Sequence, residues 1–172
     1  NLSIGQGVML ASPLQVAQGM AGIANGGALP KLRLVKQIQD VSGRVLVSND
    51  PERRNFLNLD PEAVKTVQEG MMQVVHAGYG TGKRASLSYT VLCGKTGTAQ
   101  VRKINRDVLN KKEAKWSHLD HAWFAGFSPV KDPKIVVVTL IEHVGMFASK
   151  AAVPVTMKII KKYYEITGNR RR

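Results

Sequence analysis

Lys95, Thr96 and Thr98, set around Gly97 in the run Lys95-Thr96-Gly97-Thr98-Ala99-Gln100, are the residues of this chain best equipped to hold an anion. The lysine brings a positive charge, and each threonine brings a hydroxyl that can donate to a carboxylate. Apolar Val91-Leu92-Cys93 precedes the run and Val101 follows it, so the segment reads as a strand. On extended backbone Lys95 and Gly97 share one face, while Thr96 and Thr98 share the other. Strand twist or a local bulge would let Lys95 and both hydroxyls converge on one anion, and Gly97 would admit a ligand backbone. The letters Gly94-Lys95-Thr96 also invite a phosphate-binding loop. That motif needs a glycine at position 89, where Tyr89 stands, and a helix opening at the lysine, which Gly97, Thr98 and Val101 disfavour.

A nucleophile is harder to find. Three residues on from every serine, only Ser128 meets a lysine, in Ser128-Pro129-Val130-Lys131, and no serine is followed two residues later by asparagine. Asp132-Pro133 comes next and apolar runs flank the segment, which predicts a tight turn between strands. The lone Cys93 sits in an apolar strand and reads as a packing residue. His76, His118, His121 and His143 are scattered, without the cysteine or carboxylate clusters of a zinc site, so no metal and no cofactor are expected.

The elements that must position the lysine strand are well signalled. Ser12 caps a first helix, with Pro13 at its first position and Gln15 completing a capping box; Leu14, Ala17, Ala21 and Ala24 line one face until Gly26-Gly27. Leu32 to Val47 alternates around Ser42-Gly43 as a hairpin. Asp60-Pro61 opens a second helix carrying Val64, Val67, Met71, Val74 and Val75, closing near His76-Ala77-Gly78. Gly78, Gly80 and Gly82 follow a helix rather than a strand, which argues against a dinucleotide loop. Strands are expected over Thr90–Val101, His121–Phe127 and Lys134–Glu142, the last two antiparallel. A final helix from Val153 to Thr167 places Val155, Ile159, Tyr163 and Ile166 on one face and ends at Gly168. Helices before and after an antiparallel sheet make an α+β fold.

At 172 residues and 44% hydrophobic the chain can bury a modest core, and its longest apolar stretch is too short to span a bilayer. The net charge of +13 gathers in Arg102 to Lys115 and in Arg170-Arg171-Arg172. No aromatic interleaves the first cluster before Trp116, so it lacks the stacking platforms of a nucleic-acid groove and reads as a solvated loop. A basic insert over 102–119 would hang from the end of the lysine strand.

Taken in order, the opening Asn1-Leu2-Ser3-Ile4-Gly5-Gln6-Gly7, Ser12-Pro13-Leu14-Gln15, Asn25-Gly26-Gly27, Gly80-Thr81-Gly82, Gly94 to Gln100, and Asp120-His121-Ala122-Trp123-Phe124-Ala125-Gly126-Phe127-Ser128-Pro129 resemble one family. It is the class B penicillin-binding proteins, and within it the penicillin-binding protein 2 group of the cell-elongation machinery. The resemblance runs over nearly all of 1–172 but matches only the C-terminal portion of the family's transpeptidase domain. K-T-G is the third signature of the serine penicillin-recognising enzymes, beside S-x-x-K and S-x-N.

The resemblance implies a serine β-lactamase/transpeptidase-like fold, an antiparallel sheet flanked by helices. It also implies peptidoglycan D,D-transpeptidation: serine attack on a D-Ala-D-Ala carbonyl, then transfer to an amine of a neighbouring stem peptide, with β-lactams as inhibitors. Lys95 would then charge the carboxylate site, Thr96 and Thr98 would hydrogen-bond it, the Thr98 N–H would be one oxyanion donor, and Gly97 would give substrate room along the strand. The nucleophile and the S-x-N residues are expected upstream of Asn1, which makes this chain a fragment or one piece of a larger domain, inactive by itself. Expected partners are stem peptides, β-lactams, the remainder of the domain and the elongation machinery, at a membrane-anchored site facing the periplasm or cell exterior. A serine β-lactamase or β-lactam sensor shares the K-T-G strand. A basic nucleic-acid-binding module leaves K-T-G-T-A-Q unexplained.

Overall fold

The computed structural model describes residues 9–101 and 115–168. The opening Asn1–Gly7 motif, the basic stretch 102–114 and the Arg170–Arg172 tail lie outside the described residues. The elements in order are α1 (Pro13–Ala24), β1 (Ala28–Pro30), β2 (Gln37–Gln39), β3 (Val45–Ser48), β4 (Arg53–Phe56), α2 (Pro61–His76), β5 (Cys93–Ala99), β6 (His121–Ser128), β7 (Ile135–Ile141) and α3 (Ala152–Thr167). Short 3-10 turns cover Lys83–Ala85 and Trp116–His118.

The expected caps form. Ser12 Oγ accepts from the Gln15 N–H while Gln15 Oε1 accepts from the Ser12 N–H at 2.8 Å, closing the capping box of α1. Asp60 accepts from the Glu62 N–H at the start of α2, with Pro61 behind it. Gly27 ends α1 at a positive φ, and a Cβ there would lie 2.3 Å from the Leu57 carbonyl oxygen. The close approach belongs to a small sheet that alternation did not announce, in which β1 pairs antiparallel with β4. The predicted hairpin is β2 and β3. Its turn closes on Asp40, whose Oδ1 accepts from the Ser42 and Arg44 N–H groups at 2.9 and 3.0 Å, with Gly43 at φ +84°.

The core sheet is β5-β6-β7, antiparallel throughout, with β5 at its edge. The register runs without a bulge from Cys93↔Phe127 to Ala99↔His121, so strict alternation sorts the residues into two faces. On one face Ala122, Phe124, Val137 and Thr139 pack toward α3, where Val153, Thr156 and Ile160 are buried. On the other, Cys93, Ala125 and Phe127 join Met20 and Ala24 of α1 and Met71 of α2. The sheet is therefore covered on both sides, the α+β architecture expected.

Two helix faces differ from the expectation. In α3 the buried residues are Val153, Thr156, Ile160 and Tyr164, one position round from the predicted stripe; Val155, Ile159 and Ile166 are exposed. The apolar count misled because Thr156 packs as a core residue, its Oγ1 bonding Thr139 Oγ1 at 2.7 Å and the Ala152 carbonyl at 3.1 Å. In α1, Leu14 is exposed and Met20, Ala21, Gly22 and Ala24 are buried, so the helix buries mainly its second half, with Val16 packed against the same cluster.

Candidate active site

The run around Lys95 lies where the sequence placed it, on β5, with one edge paired to β6 and the other at the border of the sheet. Thr96 and Thr98 share the α3 face, and Lys95 and Gly97 the opposite one. Pairing with β6 shows no bulge along this run. The Lys95 ammonium turns back and donates to the Thr96 carbonyl at 2.7 Å, so the charge sits against the strand backbone between the two faces. Lys95 and Thr98 are exposed and Thr96 is half-buried.

Glycines and one phenylalanine fix this strand. A Cβ at Gly94 would fall 2.3 Å from the Phe124 ring, and one at Gly126 would fall 2.5 Å from the Cys93 carbonyl oxygen. Phe124 is fully buried, and its ring also comes within 3.4 Å of a Cβ position at Gly82. The ring thus fills the space that Gly82, Gly94 and Gly126 leave empty, tying β5 to the turn after α2. Gly97 plays a smaller part in packing, since an added Cβ would meet only the Trp123 Cβ at 3.3 Å.

That turn brings Thr81 against the lysine strand. Thr81 Oγ1 lies 2.8 Å from Thr96 Oγ1. Its neighbours are held by the Gly82 N–H donating to the Val74 carbonyl and the Gly80 N–H to the Ala77 carbonyl, both at 2.9 Å. Thr81, Thr96, Gly97 and Thr98 line one wall of a cleft of about 240 Å³, and Phe147, Ala148 and Ser149, from the segment between β7 and α3, line the other. Thr81 is the residue of this turn that lines the cleft, and the contribution of Phe147–Ser149 carried no signal in the sequence.

Ser128 stands elsewhere. It is fully buried at the end of β6 on the α3 side, and its Oγ contacts Thr90 Oγ1 at 2.8 Å, Tyr164 Oη at 2.9 Å and the Val91 carbonyl at 3.4 Å. Lys131 is exposed on the turn, which closes through the Lys134 N–H to the Ser128 carbonyl at 2.9 Å. Cys93 is fully buried, and burial pushes its thiol up to about 11. His121 and His143 are not loose solvent groups: their rings meet edge to face with centroids 4.5 Å apart, and His121 Nδ1 accepts from the His143 N–H at 2.9 Å. Among the described residues no group of three or more histidine, cysteine or carboxylate side chains could hold a metal ion.

With this geometry in hand, comparison with known proteins is informative. The family model described as "Penicillin binding protein transpeptidase domain" matches residues 1–161. The chain belongs to this family. It is 36% identical over 168 residues to peptidoglycan D,D-transpeptidase MrdA of Haemophilus influenzae, covering 95% of this chain and 25% of that protein. It is 35% identical over 154 residues to MrdA of Acinetobacter baumannii, covering 88% and 22%. The chain thus spans about a quarter of the length of the curated relatives it matches. Among solved structures, Pseudomonas aeruginosa PBP2 in complex with WCK 5153 aligns with a TM-score of 0.72 at 35% identity, over 94% of this chain and 32% of that one. Helicobacter pylori PBP2, solved as a complex with MreC, gives 0.71 at 28% identity, over 96% and 27%.

Proposed function

We propose that this chain is the K-T-G-bearing part of a serine D,D-transpeptidase that cross-links peptidoglycan stem peptides and is inhibited by β-lactams. The observation that carries the reading is the cleft along β5, where Thr96 and Thr98 line one wall and the Lys95 ammonium sits against the Thr96 carbonyl. In this reading the terminal carboxylate of a D-Ala-D-Ala peptide, or of a penicillin, is held by the Thr96 and Thr98 hydroxyls beside the Lys95 charge. Backbone groups two residues apart on a strand point the same way, so the Thr98 N–H belongs with the Thr96 carbonyl that Lys95 touches. That N–H is the proposed oxyanion donor, and one such donor contributes roughly 3 kcal/mol to lowering the barrier. Gly97 lets the donor peptide lie along β5 as an added strand.

The nucleophile is proposed to be a serine outside these 172 residues, in the remainder of the domain. It attacks the carbonyl, loses its proton to a neighbouring base, and releases D-alanine, which takes up a proton. An amine of a second stem peptide then displaces the serine. The names of the relatives, peptidoglycan D,D-transpeptidases, support the reaction, and the PBP2–MreC complex supports a partner in the elongation machinery. An enzyme of this kind works at the outer face of the cytoplasmic membrane, held by an anchor outside this chain; among the described residues no helix is long and apolar enough to cross a membrane.

The test is labelling of the protein that carries both this chain and the serine with a fluorescent penicillin, followed over time. A stable adduct that Lys95→Ala forms far more slowly supports the transpeptidase. Rapid release of hydrolysed penicillin would move the assignment to a β-lactamase. No adduct and no hydrolysis would overturn the reading.

A further inference from the structure

We infer that Thr81 is a positioning residue that fixes the Thr96 hydroxyl for the anionic end of the substrate, a role resting on the transpeptidase reading above. The two hydroxyl oxygens are 2.8 Å apart, and both residues line the same cleft. Each hydroxyl has one proton to give, whereas a carboxylate only accepts. When an anion enters the cleft, Thr96 must turn its proton toward it. The short contact with Thr81 then survives only if Thr81 is the donor. The order Thr81 to Thr96 to carboxylate follows from proton count, and each donation polarises the next.

The surroundings make Thr81 fit for this. Its turn is pinned by the Gly82 and Gly80 N–H groups on the α2 carbonyls of Val74 and its C-terminal neighbour Ala77. A Cβ at Gly80 would fall 2.3 Å from the Val74 carbonyl oxygen, so the chain beside Thr81 has no slack. Phe124 packs between Gly82 and Gly94 and thereby sets the distance from this turn to β5. Thr81 is exposed, so its hydroxyl is held by Thr96 and the turn rather than by burial.

The experiment uses the whole protein and two probes, benzylpenicillin and its methyl ester, which lacks the carboxylate charge. Thr81→Val keeps the shape and removes the donor; Thr81→Ser restores it. Acylation by benzylpenicillin should slow roughly tenfold in Thr81→Val, the worth of one hydrogen bond, and recover in Thr81→Ser. Adding Thr81→Val to Thr96→Val should cost nothing further, since the two act as one unit. The loss should shrink to within about twofold for the ester. Equal losses on acid and ester, or full additivity with Thr96→Val, would overturn the inference and leave a purely structural role. Failure of the unsubstituted protein to react with benzylpenicillin would instead bring down the transpeptidase reading beneath it.

Discussion

At Ser128 the hydroxyl is fully buried and shared among Thr90, Tyr164 and the Val91 carbonyl, while its lysine, Lys131, points into solvent from a turn. At Lys95 and Thr98 the side chains are exposed beside a cleft, and Thr96 is linked to Thr81 along one wall of it. Both segments match a signature of serine acyl-transfer enzymes, yet one is sealed and satisfied and the other is open. The lesson is that reactive spacing becomes chemistry only where the fold leaves a hydroxyl accessible. Ser128 serves instead as a strut between β6, the approach to β5 and α3, holding the strand that carries Lys95, Thr96 and Thr98.

Substitutions that separate accessibility from packing sharpen this contrast. The largest effect belongs to Lys95→Ala, which should slow penicillin acylation about a hundredfold to a thousandfold while leaving the melting temperature nearly unmoved, because Lys95 is exposed. A stopped-flow acylation assay beside calorimetry reads both. Next comes Gly94→Ala. Its Cβ would collide with the Phe124 ring, so it should lower stability by about 1–3 kcal/mol, seen as an earlier urea midpoint.

Ser128→Ala should behave in the opposite sense to Lys95→Ala. Losing the hydroxyl removes its contacts with Thr90 and Tyr164, which still meet each other at 3.1 Å, so the cost should be about 0.5–1.5 kcal/mol, with acylation by the folded protein retained. A smaller effect is expected at Cys93, whose thiol is raised by burial from 9.0 to about 11. The folded state keeps this proton where the unfolded chain has lost it, so stability is complete below about pH 9 and falls as pH rises toward 11. Unfolding free energies of the protein and of Cys93→Ala, compared at neutral and alkaline pH, isolate that limb. A thiol reagent should leave folded Cys93 unlabelled at neutral pH. The smallest change belongs to Asp40→Ala in the exposed hairpin: faster hydrogen exchange at Ser42 and Arg44, with the core sheet unaffected.

Much of this was legible in the residues because the signals were local. Ser12, Pro13 and Gln15 fix a helix start by hydrogen bonds within one turn, and Asp60-Pro61 does the same for α2. The K-T-G-T-A-Q strand declares its faces through alternation alone. What stayed hidden depends on contacts distant in sequence. The pairing of β1 with β4 joins short segments with no alternation to speak of, and Thr81 meets Thr96 only because Phe124 fits among three glycines. The α3 face shifted because a threonine with a buried partner can replace an aliphatic residue, which a count of apolar letters misses. Phe147–Ser149 reach the cleft from a loop whose path only the packed sheet and α3 define.

The most direct test of the account is peptide mapping by mass spectrometry after the whole protein has reacted with benzylpenicillin. The account predicts one adduct, on a serine outside these 172 residues, that forms about a hundredfold to a thousandfold more slowly when Lys95 is replaced by alanine. An adduct on Ser128 would contradict it, since that hydroxyl would then have to leave its buried partners to become the nucleophile.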